Sequence, residues 1–150
     1  MTSTMDPKNI KVLIVDDMSN IRDFVRSQLR LMGFKEVVEA KDGYEAMLLL
    51  KAQKPEDISI ELIIADWNMP RMNGLELLKE VRNHPDWSDI VFILLTGETD
   101  REQISEAIMS GISQYIVKPV AGKAFEEKIR ATWDRQRSSH VKIKKTKNGT

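Results

Sequence analysis

Asp16 and Asp17 stand together directly after the apolar run Val12–Val15, and Asp66 stands directly after Leu62–Ala65. Thr96 follows Val91–Leu95, and Lys118-Pro119 follows Tyr115–Val117. Taken singly, each has a plain structural reading. Asp17 can open a turn or cap a helix, Thr96 can cap, and Lys118 can be a solvated lysine. If the apolar runs are parallel strands of one sheet, all of these groups share a rim, because ligands of open parallel sheets bind beyond the carboxyl ends of the strands. Three carboxylates within ~5 Å repel by about 3 kcal/mol per pair at an effective dielectric of roughly 20. Such a cluster needs a cation, a proton or an opposing lysine. The chain has no cysteine, so a hard ion with oxygen ligands, Mg2+ above all, suits it. A metal, a hydroxyl and an ammonium around an oxygen nucleophile are what phosphoryl transfer requires. That nucleophile is a carboxylate, since Asp66 is central and no histidine falls on this rim.

The elements that must position these groups are readable from periodicity. The runs named above are short, rich in Val and Ile, and unbroken by polar alternation; a weaker one lies at Glu36–Ala40. That pattern predicts parallel strands buried on both faces. Between them, Ile21, Val25, Leu29 and Met32 fall one helical turn apart, with Ser19 able to cap the start and Gly33 to end it. Ala46, Leu49 and Leu50 form a stripe within Gly43–Gln53. Leu75, Leu78 and Val81 precede a stop at His84-Pro85, and Ile104, Ala107 and Ile108 precede Gly111. Phe125, Ile129 and Trp133 mark a last helix. Five strand–helix pairs in strict alternation predict an α/β fold around a parallel sheet with right-handed crossovers.

The 150 residues (17.2 kDa) suit one domain with a single core, and 41% apolar with 31% charged residues is an ordinary folded composition. No apolar run approaches the ~20 residues of a membrane span, and the amino end has no secretory pattern, so a cytoplasmic location is expected. The formal charge is zero, but Arg135, Arg137, Lys142, Lys144, Lys145 and Lys147 make residues 135–150 +6, while the remaining 134 residues hold 17 basic and 23 acidic side chains. An acidic body with a short basic tail is not a specific nucleic-acid-binding domain. The tail reads as a solvated, mobile terminus, with contact to an acidic partner or nucleic acid as the alternative. Residues 1–9 are expected to be loosely ordered, 10–135 to form the domain, and 136–150 to be the tail. Lys54–Glu61 is expected to be a surface loop.

Five motifs, in order and at these spacings, resemble the receiver domain of response regulators, most closely the single-domain chemotaxis regulators of the CheY type. They are Val15-Asp16-Asp17, Ala65-Asp66-Trp67-Asn68-Met69-Pro70, Asn73-Gly74, Leu95-Thr96-Gly97-Glu98 and Tyr115-Ile116-Val117-Lys118-Pro119. The resemblance implies a flavodoxin-like (βα)5 three-layer sandwich with strand order 2-1-3-4-5. It implies that Asp66 is the phosphoacceptor, taking its phosphoryl group from a histidine kinase. Mg2+ would be bound by Asp17, Asp66 and the backbone carbonyl of Asn68, with Asp16 helping through a water. Lys118 would pair with the phosphoryl oxygens, and Thr96 and the Gly97 amide would contact them. Tyr115 would be the aromatic switch, against the plainer reading of a half-buried edge-strand tyrosine. Asn68 and Glu98 would tune the hydrolysis rate, and the Lys118–Pro119 bond would be cis.

By the same resemblance the output is a two-state face built from the fourth helix, fifth strand and fifth helix, controlling flagellar rotation through the motor switch protein, with a phosphatase as a further partner. The protein is expected to be a monomer, and a phosphoacceptor that gains and loses its own phosphoryl group without turning over an external substrate. A haloacid-dehalogenase phosphatase would need an acid at the position of Asn68, and a P-loop enzyme would need a glycine-rich loop that is missing. A phosphate-sink receiver, a stand-alone regulator of a non-flagellar partner and a phosphorylation-independent binding module stay open. His84 reads as a helix-end residue facing the last carbonyls, His140 as part of the tail, and the methionines as gap-fillers.

Overall fold

The computed structural model describes residues 4–97, 101–118 and 122–148. Ten elements alternate: β1 (Lys11–Val15), α1 (Ser19–Leu31), β2 (Glu36–Ala40), α2 (Gly43–Lys51), β3 (Ile60–Asp66), α3 (Gly74–Asn83), β4 (Val91–Thr96), α4 (Arg101–Met109), β5 (Gln114–Val117) and α5 (Gly122–Asn148). All strand pairs are parallel, in the order β2-β1-β3-β4-β5. This is the flavodoxin-like order, and it puts β1 and β3 side by side where the winding direction reverses.

The unbroken apolar runs have a simple cause. Alternate residues of each strand face opposite layers, and both layers are covered. Val12, Ile14, Leu62, Ile64, Val91, Ile93 and Leu95 pack with Val25 and Leu29 of α1 and Phe125, Ile129 and Trp133 of α5. Leu13, Val15, Ile63, Ala65, Phe92 and Leu94 pack with Ala46 and Leu50 of α2, Leu77, Leu78 and Val81 of α3, and Ala107 of α4. With no wet face, no polar alternation is needed.

Five expectations differ from the structure. Ser19 is the first residue of α1 and gives no side-chain cap; Met18 takes the cap position, and its amide donates to Asp16 Oδ1 at 2.9 Å. Residues 4–9 are not loose: Met5 is buried in the core, Pro7–Asn9 form a 3-10 turn, and Thr4 donates through its amide and hydroxyl to Asp134 Oδ1 at 3.1 and 2.9 Å. The last helix does not stop near residue 135 but continues to Asn148. Nothing between Lys123 and Lys147 breaks a helix, since the first Gly or Pro after Gly122 is Gly149. His84 does end α3, but its ring stacks on Trp87 at 3.6 Å and its Nδ1 accepts from the Asp86 amide at 3.1 Å, instead of serving the helix carbonyls. Residues 54–59 are exposed, as a surface loop should be, but Ile60 and Glu61, expected as its last residues, open β3, where Ile60 is buried against the α2–α3 layer.

A hydrogen-bond hub at the far end of the sheet fixes β5 against β4 and α5. Ser113 Oγ accepts from the Phe92 amide (2.9 Å) and from Arg82 (3.2 Å), and donates to Gln136 Oε1. Arg82 also donates to the carbonyls of Gly111 and Ile90, both at 2.7 Å. Arg135 and Arg137 reach the Ser113 carbonyl (2.8 Å) and Glu61 (3.0 Å). Two of the six basic residues of the 135–150 stretch, Arg137 of the expected tail among them, therefore bond to the body of the domain.

Candidate functional site

Register brings the rim together. Asp66 pairs with Leu95 across β3 and β4, and Thr96 with Val117 across β4 and β5, so Lys118 emerges one residue beyond Thr96. Its amide donates to the Thr96 carbonyl at 2.8 Å, which closes that corner. Lys118 Nζ then lies 3.0 Å from Asp66 Oδ1 and 3.8 Å from Asp16 Oδ2. Carboxylate oxygens of Asp16, Asp17 and Asp66 converge within 4.8 Å of one another. Asp16, Asp66 and Thr96 are buried, whereas Asp17, Asn68 and Gly97 are exposed, so the cluster has a dry floor and a wet mouth.

The two oxygens of Asp66 are not equivalent. Oδ1 takes the Trp67 amide at 2.9 Å as well as Lys118. Among the described residues these contacts leave Oδ2 as the oxygen open to an incoming electrophile. Asp16 is held differently. Its carbonyl accepts from Arg22 at 2.7 Å, and Arg22 in turn bonds Glu39 at 3.1 Å, which ties the end of β1 to β2. Burial pushes the Asp16 carboxyl above its ordinary value, and the nearby Asp66 and Asp17 charges add to this; the Met18 amide and Lys118 oppose it without cancelling it.

Whether a metal fits can be judged from these groups alone. Among the described residues Asp16 Oδ2 is buried with no hydrogen-bond partner, in a cluster of three carboxylates faced by the Lys118 ammonium. An orphaned anionic oxygen, hard donors and surplus negative charge describe an acidic pocket able to hold a metal ion. Tyr115 is half-buried in β5 and packs on the layer formed by α2, α3 and α4. Glu98 and the Lys118–Pro119 bond lie outside the described residues.

Gly74, read above only as part of a motif, has a steric role at this site. Its amide donates to the Trp67 carbonyl at 2.9 Å, and a Cβ there would stand 2.4 Å from the Asp66 carbonyl oxygen and 2.7 Å from Leu94. Only glycine lets α3 start this close to the strand that presents Asp66. Gly74→Ala is expected to cost ~1–3 kcal/mol through overpacking, read as a lower urea midpoint with an unchanged slope. An unchanged midpoint would show that α3 can back away freely.

A parallel 2-1-3-4-5 sheet with an acidic pocket at the ends of β1 and β3 and a lysine after β5 defines a class of protein, and residues 12–130 match the family model of the response regulator receiver domain. The chain belongs to that family. It is similar to the chemotaxis protein CheY-3 of Vibrio cholerae, with 39% identity over 128 residues covering 85% of this chain and 95% of the relative. A chemotaxis protein CheY homolog of Campylobacter jejuni is 40% identical over 120 residues, 80% of this chain and 89% of its own. Among solved structures, the chemotaxis response regulator CheY4 of Vibrio cholerae superposes with a TM-score of 0.73 at 32% identity, covering 82% of this chain and 98% of that one. A CheY-like receiver domain protein of Methanospirillum hungatei gives 0.75 at 28% identity, covering 87% and 98%. Family membership carries with it a phosphoacceptor role in two-component signalling. Among the described residues no helix is long and apolar enough to cross a membrane.

Proposed function

We propose that this chain is a two-component response regulator in which Asp66 accepts a phosphoryl group from a phosphohistidine of a partner kinase and thereby switches a protein-binding face. The observation that carries this reading is the placement of Asp66: buried at the end of β3, 3.0 Å from Lys118, with one oxygen free of the contacts that hold the other. Oδ2 attacks phosphorus, a carboxylate O–P bond forms, and the P–N bond to the donor imidazole breaks with its electron pair leaving on nitrogen. Lys118 is already beside the acceptor and meets the new negative charge. The Thr96 hydroxyl and the Gly97 amide, at the adjoining end of β4, would bond phosphoryl oxygens.

The metal is best read as Mg2+, held by Asp17, Asp66 and the Asn68 carbonyl with Asp16 behind a water, and it would supply the positive charge that lets a dianion approach three carboxylates. The acyl phosphate is later lost to water, at a rate that Asn68 and Glu98 tune. The protein therefore cycles with its own phosphoryl group and is not a turnover enzyme on an external substrate.

The output face is α4–β5–α5, where Ile108, Met109 and Val117 are exposed and Tyr115 is half-buried. Phosphorylation draws Thr96 and Lys118 inward, and Tyr115 fills the space vacated behind Thr96. The names of the relatives favour chemotaxis, with a chemotaxis histidine kinase as donor, the flagellar motor switch as target, a phosphatase closing the cycle, and a monomer working in the cytoplasm. A phosphate sink or a regulator of a non-flagellar partner is the second reading. It is favoured by the 27-residue α5 that flanks the same face. Pull-downs with both forms separate them, since a sink shows no phosphorylation-dependent partner.

The primary test is intact mass after incubation with acetyl phosphate. The expected result is a gain of one phosphoryl group that requires Mg2+ and is removed by hydroxylamine, as an acyl phosphate is. No adduct, even with a cognate kinase, would overturn the phosphoacceptor reading and leave a binding module.

A further inference from the structure

The loop between β3 and α3 carries Asn68, the expected source of a carbonyl ligand, and both of its ends are anchored. At the near end the Trp67 amide donates to the Leu95 carbonyl at 3.0 Å, and the Trp67 carbonyl accepts from Gly74. At the far end the Met72 amide donates to the Pro70 carbonyl at 2.7 Å, a three-residue turn centred on Arg71. Arg71 has φ 65°, the one described non-glycine residue in the left-handed region. An arginine held there is strained, and such a conformation persists only where the surroundings over-determine it.

The surroundings here are the start of α2. Arg71 Nε and a second guanidinium nitrogen each lie 2.7 Å from Asp42 Oδ2, and the guanidinium sits 4.9 Å over the Tyr44 ring. Asp42 is buried, and its other oxygen caps α2 by accepting the Glu45 amide at 2.8 Å. The Gly43 amide donates to the Met72 carbonyl at 3.0 Å, and a Cβ on Gly43 would stand 2.7 Å from Met72 Cγ. Burial alone would raise the Asp42 carboxyl, but the Glu45 amide and Arg71 outweigh it and hold it below its ordinary value. Asp42 is thus a fixed anion. Between Trp67 and the Pro70–Met72 turn only Asn68 and Met69 remain.

We propose that Arg71, locked onto Asp42, is a positioning residue for the site: by holding the Pro70–Met72 turn to the start of α2, it restricts where the Asn68 carbonyl can lie and so sets the affinity for Mg2+. This rests on the metal-binding reading above. A group outside the ligand set matters because a ligand held in one place loses less freedom when the ion binds; partners bonded directly to ligands are worth ~10–100-fold in metal affinity, and Arg71, acting through the loop backbone, belongs at the low end of that range. The alternative is that the ion pair only stabilises the α2 end.

The test is a Mg2+ titration followed by Trp67 fluorescence in a Trp87→Phe, Trp133→Phe background, on the full chain. The variants are Arg71→Ala, Arg71→Lys and Asp42→Asn, the last keeping an oxygen for the Glu45 amide. Arg71→Ala and Asp42→Asn are expected to weaken Mg2+ binding ~10-fold, with the double variant no weaker than either single one. Arg71→Lys restores part of the loss. Phosphorylation by acetyl phosphate slows at low Mg2+ and recovers at saturating Mg2+, a split that a general loss of stability does not produce. Wild-type Mg2+ affinity in both charge-removing variants, with only a lower Tm, would overturn the proposal while leaving the metal reading intact. Absence of Mg2+ binding in the parent protein would overturn both. If Arg71→Ala fails to fold, Asp42→Asn and Arg71→Lys decide the question.

Discussion

Asp66→Asn takes up no phosphoryl group from acetyl phosphate at any Mg2+ concentration, where the wild type gains one. The loss is complete because a carboxamide oxygen has no charge to place on phosphorus and no acyl phosphate can form on it. The fold survives the change for reasons visible at the site. The carboxamide keeps an oxygen for the Trp67 amide, which in the wild type donates to Oδ1 at 2.9 Å. Lys118 loses its charged partner at 3.0 Å but keeps Asp16 at 3.8 Å. Removing one of three mutually repelling carboxylates offsets the lost ion pair, so the thermal midpoint is expected to stay close to that of the wild type. Unchanged far-UV dichroism beside a null mass shift therefore isolates chemistry from folding. An adduct that persists in Asp66→Asn would move the nucleophile to Asp16, Asp17 or the Thr96 hydroxyl, and the role of Lys118 would have to be derived again.

The groups that converge on the rim were legible because each stands at the end of an apolar run, and parallel pairing fixes where such ends meet. Asp66 opposite Leu95 and Thr96 opposite Val117 follow from the same register that buries the runs. What periodicity cannot express is the approach of two elements remote in sequence. Arg71 and Asp42 are 29 residues apart, and neither residue type announces the other. Gly74 has a motif around it, but its requirement comes from the Asp66 carbonyl and Leu94 standing where a Cβ would be. The Asn73–Glu76 capping box at α3 is a local feature of Asn-Gly-Leu-Glu that none of the sequence expectations included.

The other departures share one cause. Ser19 is a good cap by type, but the Ile21 and Arg22 amides it would receive both donate to the Met18 carbonyl at 3.1 Å, and Met18 is itself held through its amide by the Asp16 carboxylate. Local preference lost to a side chain already fixed by β1. At the two chain ends, charge and position alone do not decide order. The Asp134 carboxylate that receives Thr4, and the Ser113 and Glu61 groups that receive Arg135 and Arg137, lie on other elements. A terminus becomes ordered when its backbone and side chains find partners in the body, which composition alone does not reveal.

Asp16→Asn is expected to change stability and metal binding in opposite directions. Folded Asp16 holds its proton more tightly than the unfolded chain does, because it is buried and faces Asp66 and Asp17. A carboxyl raised in this way contributes stability that is fully present below the unfolded value of 3.8 and is lost as pH rises through the raised folded value. At neutral pH the ionised group is therefore a net cost to the metal-free fold. Asparagine keeps an oxygen for the Met18 amide, carries no charge, and turns the orphaned Oδ2 position into a donor beside two carboxylates. The metal-free variant should gain on the order of 1 kcal/mol, a rise in Tm of ~2–4 °C. The gain should shrink as pH falls through the raised folded value toward the unfolded value of 3.8, because the wild-type carboxyl then takes up its proton. Added Mg2+ stabilises the wild type according to how far its concentration exceeds Kd, and does so far less for the variant. The two melting curves thus exchange order as Mg2+ is raised. If Asp16→Asn instead melts below the wild type without metal, Asp16 is a structural anchor for Lys118 and Met18, and its charge is not held at a cost to the fold for the sake of a ligand.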